Sequence, residues 1–311
     1  MMLLKSKFIL LPLAVLLLTA NSLRAGEAAP IPIVLDTDIG GDIDDAFALA
    51  LVLSSPELDL RAVTTVSGNT QARARLAAKM LWVAGRREVP VAAGEPGGKM
   101  AMEQTRWADG FTSPMLLSES AVDLLKAEID RNPGEITVVA IGPLTNVAAL
   151  LKQYPAVRTR IKRIALMGGS IARGYYPDSG PTAEYNIAAD AAAAQTVFSS
   201  GIPILMAPLD VTARLQLDEP HRQQLFALHT PMAEALHALY TLWNQPTPTL
   251  HDPMAVGLLI NPALCRSQPL AIEIDSHGMT RSVRGKPPNA TVALETNPAA
   301  FIDFYMSRVA R

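Results

Sequence analysis

Short apolar runs alternate with longer stretches of helical periodicity along most of the chain. The runs have strand length and are mostly rich in β-branched residues; they lie at residues 31–35, 60–66, 89–93, 136–141, 164–167 and 202–206. Helical patterns occupy residues 44–53, 71–83, 114–129, 144–153, 188–198, 219–227 and 299–309. Because strands and helices alternate, the pattern predicts an α/β fold with a mostly parallel, open sheet covered by helices on both faces.

Other segments refine this Rossmann-like prediction. Residues 271–274 and 291–294 are candidate strands, and we expect them to pair with each other at one edge of the sheet. Three segments depart from the core pattern, at residues 94–113, 170–189 and 210–253. Long excursions of this kind usually cover or line a site.

The first 25 residues have the composition of a secretory signal peptide. Two lysines precede an apolar stretch at residues 8–20, and Ala25 is a candidate cleavage point. The stretch is shorter than the roughly 20 apolar residues that a membrane span needs, and an uncleaved anchor is the alternative. We predict a signal peptide at residues 1–25, a single domain at residues 26–311 without a stable membrane span, and a periplasmic or secreted location.

Charge and cysteine content narrow the range of partners. The formal charge of −2 becomes −5 if Lys5, Lys7 and Arg24 are removed with the signal peptide, so no basic surface suggests a nucleic acid partner. Cys265 is the only cysteine, which excludes an internal disulfide in an oxidising compartment. A small molecule is the expected partner, and both a monomer and a homo-oligomer stay open.

Five aspartates crowd the turn between the first predicted strand and the helix after it: Asp36, Asp38, Asp42, Asp44 and Asp45. Two like charges 4 Å apart cost about 4 kcal/mol in a moderately polar environment. An anion at a helix N-terminus recovers only about 0.3–1 kcal/mol. The turn therefore predicts a bound cation. Carboxylates without a nearby Cys or His favour a hard ion, and Ca²⁺ suits a turn of this length better than Mg²⁺.

Three alternatives to a calcium site differ in what the turn should contain. An EF-hand needs an acid at its twelfth position, which is Phe47 when counting starts at Asp36, so that motif is excluded. A phosphohydrolase with an aspartate nucleophile in an Asp-x-Asp turn fits the strand context but gives the Asp44-Asp45 pair no role. A solvated turn with several helix-capping aspartates is the third alternative.

The acidic turn is also the first of a series of recognisable blocks. Asp36-Thr37-Asp38-Ile39-Gly40, followed by Asp44-Asp45-Ala46, resembles the N-terminal signature of the inosine-uridine preferring nucleoside hydrolase family. The resemblance runs from about residue 31 to the end of the chain. The later blocks, in the order of that family, are Thr65-Val66-Ser67-Gly68-Asn69, Gly142-Pro143-Leu144-Thr145-Asn146, Met167-Gly168-Gly169, Ala183-Glu184-Tyr185-Asn186 with Asp190, Leu209-Asp210-Val211-Thr212, and His251-Asp252-Pro253.

The resemblance implies a calcium site and a catalytic base. Family members hold one Ca²⁺ at the bottom of the pocket, and the matching ligands are Asp38, Asp45, Asp252 and the backbone carbonyl of Thr145. Asp38 is also the implied general base. A hard ion lowers the pKa of a water beside this carboxylate and orients it for attack on the anomeric carbon.

The resemblance also implies residues that bind the sugar. Asp44, Asn69, Glu184 and Asn186 match positions that hydrogen-bond the ribose, and Met167 matches one that packs against it. Cleavage of an N-glycosidic bond develops oxocarbenium character on the ribose. Surrounding carboxylates stabilise that positive charge more than the neutral ground state.

His251 matches the histidine that assists departure of the base, by protonating it or relaying a proton, and its near-neutral ordinary pKa suits that task. The other blocks contain residues for which a structural role is expected. Asp210 is expected to hold loops together, Asp190 to cap the following helix, and Asn146 to begin a helix.

The chain departs from the family pattern at two places. Its acidic turn is longer and has Ile39 where the short signature has proline, so Asp42 either substitutes for Asp44 at the ribose or lies outside the site. Residues 107–111 stand where many members carry a His-Gly element. Base recognition is therefore expected to differ, and the aromatic candidates for stacking on the base are Trp107, Phe111, Tyr175, Tyr176, Tyr240 and Trp243.

These observations predict an exported, Ca²⁺-dependent N-ribohydrolase that converts a ribonucleoside and water to ribose and free base, for nucleoside salvage. The main alternative is an exported, non-catalytic binder of a ribosyl ligand that has kept the metal pocket. An Mg²⁺-dependent aspartyl-phosphate phosphohydrolase is a third hypothesis.

Overall fold

The computed structural model describes residues 29–98 and 102–311. The predicted signal peptide, residues 1–25, lies outside the described residues. The strands of the described part, in chain order, are β1 (Ile31–Thr37), β2 (Leu58–Thr65), β3 (Val91–Ala93), β4 (Thr137–Ala140), β5 (Arg163–Met167), β6 (Ile204–Ala207), β7 (Cys265–Leu270), β8 (Ile272–Ile274), β9 (Thr280–Ser282) and β10 (Ala290–Thr296).

Eight of these strands form one sheet in the order β3-β2-β1-β4-β5-β6-β10-β7. All neighbours in it are parallel except the edge pair β10 and β7. The predicted fold class is therefore confirmed. The chain runs outward in one direction through β2 and β3 and in the other through β4, β5 and β6. This makes the gap between β1 and β4 the topological switch point, where open α/β sheets bind ligands at the carboxyl ends of their strands.

Helices cover both faces of the sheet. Ile33 and Leu35 of β1 face one layer of buried side chains, and Val34 faces the other. The helices are α1 (Asp44–Leu53), α2 (Thr70–Val83), α3 (Ala121–Arg131), α4 (Thr145–Gln153), α5 (Tyr185–Ala188), α6 (Ala191–Phe198), α7 (Leu209–Thr212), α8 (Glu219–Phe226), α9 (Pro231–Trp243), α10 (His251–Ile260) and α11 (Pro298–Val309). Short 3₁₀ helices lie at Glu103–Ala108, Pro155–Thr159 and Pro262–Leu264.

The expected pairing of residues 271–274 with residues 291–294 is wrong. Residues of the second segment belong to β10, which joins the main sheet between β6 and β7. Residues of the first belong to β8, which pairs with β9 in a separate two-stranded sheet. Two short strands close in sequence resemble a hairpin, but β7 supplies a longer antiparallel partner for β10.

Helix boundaries differ from prediction where backbone pairing competes with helical periodicity. The helix predicted from residue 114 begins instead at Ala121, after an N-cap at Ser120. The segment before it is extended, because the Val91 amide donates to the Met115 carbonyl and the Leu117 amide donates to the Val91 carbonyl. The apolar residues near 115 therefore extend the β3 edge.

The segment 210–253, predicted as an excursion, contains α9 and the start of α10. Helix α10 shows no amphipathic period because it is apolar almost throughout and buried from Asp252 to Leu259. It packs against α1, whose residues are also buried on every side. A helix buried all round lacks the polar stripe that sequence periodicity detects.

Candidate active site

The acidic turn lies at the switch point, directly after β1. Asp36, the last but one residue of β1, is fully buried. Its Oδ1 accepts hydrogen bonds from Thr64 Oγ1 at 2.7 Å and from Asn146 Nδ2 at 2.8 Å. Burial raises the pKa of Asp36 to about 7, against the effect of these two donors. Asp36 thus connects β1 to β2 and α4 beneath the site. The Asn146 side chain, at the start of α4, supports the fold through this hydrogen bond.

A cavity of about 300 Å³ opens above this turn. Helices α1 and α10 both begin at it, so their N-terminal dipoles favour the carboxylates of their first residues. The lining residues are Asp38, Asp42, Asp44, Asp45, Ile141, Met167, Tyr175, Glu184, Tyr185, Asn186, His251 and Asp252.

Three buried carboxylates at the bottom of the site form an oxygen cluster. One carboxylate oxygen from each of Asp44, Asp45 and Asp252 lies within 4.8 Å of the others. The Asp252 amide donates to Asp44 Oδ2 at 3.3 Å, and the Thr37 hydroxyl donates to Asp45. Burial, and after it the neighbouring carboxylates, raise the pKa of all three well above the ordinary value. An all-oxygen set of this charge could hold a hard metal ion.

Asp38 lies beside this cluster and faces the guanidinium group of Arg73. Burial raises its pKa to about 6, while the Arg73 guanidinium acts in the opposite direction. Arg73 Nη2 is 3.9 Å from Asp38 Oδ2, and Arg73 is fully buried. A pKa of about 6 favours the ionised form of Asp38, which can accept a proton, at neutral pH.

Arg73 also fixes the turn that follows β2. Its Nε donates to the Ser67 carbonyl at 2.8 Å and its Nη1 donates to the Ile39 carbonyl at 2.9 Å. Ser67 and Gly68 both have positive φ, at 68° and 60°, a conformation that a non-glycine residue rarely adopts. Arg73 was not among the predicted site residues. The sequence does contain a signal for Arg73. It is a charged residue on the apolar face of α2, three positions before Leu76 and four before Ala77.

Asn69 and Thr145 lie outside the cavity lining in the part of the chain that the structure describes. Asn69 is exposed, and its side chain caps α2 by accepting the Ala72 amide at 3.1 Å. The Thr145 hydroxyl donates to Asp190 at 2.8 Å, and Asp190 caps α6 through the Ala193 amide. The expected capping by Asp190 is thus present.

Glu184, Asn186 and Met167 lie together on another wall of the cavity. The Glu184 carboxylate accepts three backbone amides, from Gly169 and Asn186 at 2.8 Å and from Ile187 at 3.2 Å. Burial nevertheless raises the pKa of Glu184 to about 7. Asn186 Nδ2 donates to the Met167 carbonyl at 3.2 Å. The strand end at β5 and helix α5 therefore hold this wall rigid.

His251, the first residue of α10, also lines the cavity. Its Nδ1 is 2.9 Å from the Thr212 hydroxyl, and its ring meets Tyr175 edge-on with 6.1 Å between centroids. Burial lowers the pKa of His251 to about 4. The imidazole is therefore neutral at neutral pH and acts as a hydrogen-bonding group.

Two tyrosines stand at the mouth of the cavity. Tyr175 and Tyr185 are 39% and 41% exposed, and the Tyr185 amide donates to the Tyr175 hydroxyl at 2.9 Å. Tyr185 was not among the aromatic candidates, although it lies within the Ala183-Glu184-Tyr185-Asn186 block.

The other aromatic candidates lie outside the cavity lining within residues 29–98 and 102–311. Trp107 and Tyr240 contact Lys79 and Phe226 respectively, Phe111 meets Trp82 edge-on, and Tyr176 is 76% exposed. Burial raises the pKa of Asp42, and the Trp243 side chain near it acts against this rise. Among the six candidates, Tyr175 is thus the one that lines the cavity.

Loops outside the core fix the upper part of the site. Gln104 is fully buried, and its Nε2 donates to the carbonyls of Gly41 and Asp42 at 2.9 and 2.8 Å. The Asp210 carboxylate accepts the amides of Ile171 and Ala172, each at 2.8 Å. Asp210 therefore holds the loop at Ile171 and Ala172, as expected from the sequence. Asp42 lines the cavity on a turn that Gln104 holds through the Gly41 and Asp42 carbonyls.

Fold and site together define an α/β enzyme with a polar pocket at its switch point and an oxygen cluster suited to a hard cation. The family model for inosine-uridine preferring nucleoside hydrolase matches residues 33–303. The chain belongs to this family and is a nucleoside hydrolase, which acts on small-molecule nucleosides. The predicted family and enzyme class are confirmed.

Individual relatives agree with this assignment. A pyrimidine-specific ribonucleoside hydrolase RihA of Citrobacter koseri is 32% identical over 311 residues, which cover 90% of this chain and 98% of that protein. A plant nucleoside hydrolase, PpNRh1, superimposes with a TM-score of 0.80 at 26% identity, covering 90% of this chain and 99% of the plant enzyme. A purine-preferring ribonucleoside hydrolase of Gardnerella vaginalis superimposes with a TM-score of 0.77 at 26% identity, covering 90% and 98%.

The helices in residues 29–98 and 102–311 were also compared with the length and hydropathy of a bilayer span. None of the helices in these residues is both long and apolar enough to cross a membrane.

Proposed function

We propose that this chain is a Ca²⁺-dependent N-ribohydrolase that uses Asp38 as its general base and His251 to assist the leaving base. The observation that carries the proposal is that one cavity is lined by Asp38, by the oxygen cluster of Asp44, Asp45 and Asp252, and by His251. A base, a cation site and a leaving-group partner together suit the hydrolysis of an N-glycosidic bond.

The oxygen cluster fits a hard divalent ion. The cluster contains only carboxylate oxygens, all of them buried, and burial, followed by repulsion between the carboxylates, raises the pKa of each acid. We propose Asp45, Asp252 and Asp38, with the Thr145 carbonyl, as ligands of Ca²⁺, and the position of Asp44 in the cluster makes it a further candidate. When bound, the ion would lower the pKa of a neighbouring water and orient the ribose hydroxyls.

Asp38 would accept the proton of the attacking water. Its pKa of about 6 leaves it mostly ionised at neutral pH while keeping it basic enough to accept a proton in the transition state. The Arg73 guanidinium at 3.9 Å limits the rise of this pKa. Without Arg73, burial and neighbouring aspartates would shift Asp38 further toward its protonated, inactive form.

The remaining wall residues would hold and stabilise the sugar. Asp44, Glu184 and Asn186 line the cavity and would hydrogen-bond the ribose hydroxyls, and Met167 would pack against the ring. As positive charge develops on the ribose, carboxylates held in their ionised form by a bound cation would stabilise the transition state more than the neutral substrate. Asn69, the remaining predicted sugar ligand, caps α2 by accepting the Ala72 amide.

His251 would act on the leaving base as a neutral hydrogen-bond partner. Because burial lowers the pKa of His251 to about 4, the imidazole rarely carries a second proton at neutral pH. A hydrogen bond from His251 to an acceptor atom of the base would stabilise negative charge as the bond breaks, and a solvent proton would complete the departure.

The test is release of reducing sugar from uridine, cytidine, inosine and adenosine by the purified protein, with and without a chelator. Because the Citrobacter koseri relative is named as pyrimidine-specific, we propose the pyrimidine ribonucleosides as the preferred substrates. We expect turnover that is lost on chelation, restored by Ca²⁺, and reduced by orders of magnitude in Asp38→Asn. Saturable nucleoside binding without turnover would instead identify a non-catalytic binder, and Mg²⁺-dependent phosphate release would identify a phosphohydrolase.

We also propose export of the chain, with residues 1–25 as a signal peptide and residues 26–311 as the catalytic domain. The supporting observation is the basic, apolar and small-residue pattern of the first 25 positions. Fractionation of expressing cells, with mass determination of the mature protein, tests this. Recovery of the uncleaved chain from the cytoplasm would contradict it.

A further inference from the structure

The hydroxyl of Thr212 contacts one ring nitrogen of His251. Thr212 ends α7, the short helix after β6, and its residue surface is fully buried. Its Oγ1 lies 2.9 Å from His251 Nδ1, within hydrogen-bonding distance. Tyr175 meets the same ring edge-on, so the imidazole is held from two directions.

The donors and acceptors available to Thr212 and His251 give this hydrogen bond a direction. A threonine hydroxyl carries one proton, and the partner of the Thr212 side chain within residues 29–98 and 102–311 is His251 Nδ1. If Nδ1 carried a proton and donated it, the Thr212 proton would be buried without an acceptor. Such an unsatisfied group is unfavourable by about 1–3 kcal/mol. The hydroxyl therefore donates, and Nδ1 accepts.

We propose that Thr212 is a positioning residue that fixes the tautomer of His251, with the ring proton on Nε2. This inference rests on the proposed role of His251 in assisting the leaving base. With Nδ1 occupied by Thr212, Nε2–H is the polar group of the ring that remains for a ligand. His251 then offers the departing base a hydrogen-bond donor, and the site selects bases with an acceptor atom at that point.

The anchoring of α7 supports a positioning role. Two residues before Thr212, the Asp210 carboxylate accepts the amides of Ile171 and Ala172. The loop that begins there leads to Tyr175, the second contact of the imidazole. The same short helix thus positions both neighbours of His251. It carries Thr212 itself, and through Asp210 it holds the loop that leads to Tyr175.

The test compares two substrates in three variants of the full chain. Thr212→Val keeps the shape and removes the donor, Thr212→Ser keeps the donor, and Thr196→Val is a control on α6, where the exposed hydroxyl donates to the Ala192 carbonyl. Uridine needs assistance at its leaving group, whereas 4-nitrophenyl riboside needs little. Thr212→Val should lose about 10- to 100-fold in kcat on the nucleoside and less than threefold on the aryl riboside, and Thr212→Ser should recover most of the loss.

Nitrogen NMR of the histidine ring supplies a readout that does not depend on turnover. The protein should show a protonated Nε2 at His251, and Thr212→Val should populate the Nδ1–H form. A proton on Nδ1 in the unsubstituted protein would overturn the proposal, and so would equal losses on both substrates. If the unsubstituted protein hydrolyses neither substrate, the proposed function fails, while the NMR experiment still decides the tautomer.

Discussion

Gly142 allows the ends of β1 and β4 to approach closely, and this makes Gly142→Ala a sharp probe of Asp38. A Cβ at position 142 would lie 2.9 Å from Asp38 Oδ1, 3.0 Å from the Asp38 amide nitrogen and 2.8 Å from Val66 Cγ1. Gly142 does not have positive φ, so alanine fits its backbone conformation. Within the folded state, the effect of the substitution therefore comes from these three contacts.

The size of the effect follows from the distances. Ordinary contacts of a carbon atom begin near 3.5 Å, so Asp38 and Val66 must each shift by roughly half an ångström. Overpacking of this kind destabilises by about 1–3 kcal/mol, which lowers Tm by about 2–4 °C per kcal/mol in a domain of this size. A 1 Å misplacement of a reacting group can reduce the rate about 10²-fold, so we expect Gly142→Ala to lose about 10- to 100-fold in kcat/KM.

The assay is kcat/KM on uridine together with Tm for the Gly142→Ala and Gly180→Ala variants. Gly180 is the matched control because it is exposed and an added Cβ there meets nothing within 4 Å. The control should keep both values. Full activity in Gly142→Ala, with Tm lowered as expected, would show that the reaction does not depend on the position of Asp38.

Three further predictions concern charge in the site. Arg73→Met should lower the free energy of unfolding in urea by about 3 kcal/mol or more, since Asp38 and two carbonyls lose their partner. The control Arg75→Met, on the same helix, should change this free energy by no more than about 0.5 kcal/mol. Equal effects of the two substitutions would contradict the role of Arg73. In the chelated protein, Tm should fall from pH 6.5 to 8.5, because burial raises the pKa values of Asp36 and Glu184 to about 7 and the folded state binds more protons than the unfolded one. The lowered pKa of His251 acts in the opposite direction, but this effect fades as pH rises above its unfolded pKa of about 6.5. Added Ca²⁺ should reduce the fall, and a Tm that is constant with pH would refute this. Asp252→Asn should abolish stabilisation by Ca²⁺ in thermal melts, and an unchanged Ca²⁺ response would exclude Asp252 as a ligand.

Sequence reasoning located the switch point because the acidic turn is local. Asp38, Asp44 and Asp45 lie within one strand-helix connection, and the alternation of elements predicts that connection at the carboxyl edge of the sheet. Their convergence with Asp252 came from the family resemblance. Pattern alone carries no information on which distant helix N-terminus completes a cluster.

What sequence reasoning missed depends on tertiary contacts. The buried position of Arg73 follows from the packing of α2 against the site, and a single arginine in a helix does not reveal its partners. Helix α10 was missed because burial on all sides removes its polar stripe. The contact of Thr212 with His251 joins two blocks that were both recognised, but their relative placement is a property of the folded chain.

The carboxylate cluster joins the two ends of the chain. Asp44 and Asp252 are 208 positions apart, yet they share one small volume and a direct hydrogen bond. Closing so long a loop is entropically unfavourable and comes late in folding. A growing polypeptide therefore has no complete carboxylate cluster until about four-fifths of its 311 residues have been made, so a cation that binds there would capture the finished fold rather than guide its early steps.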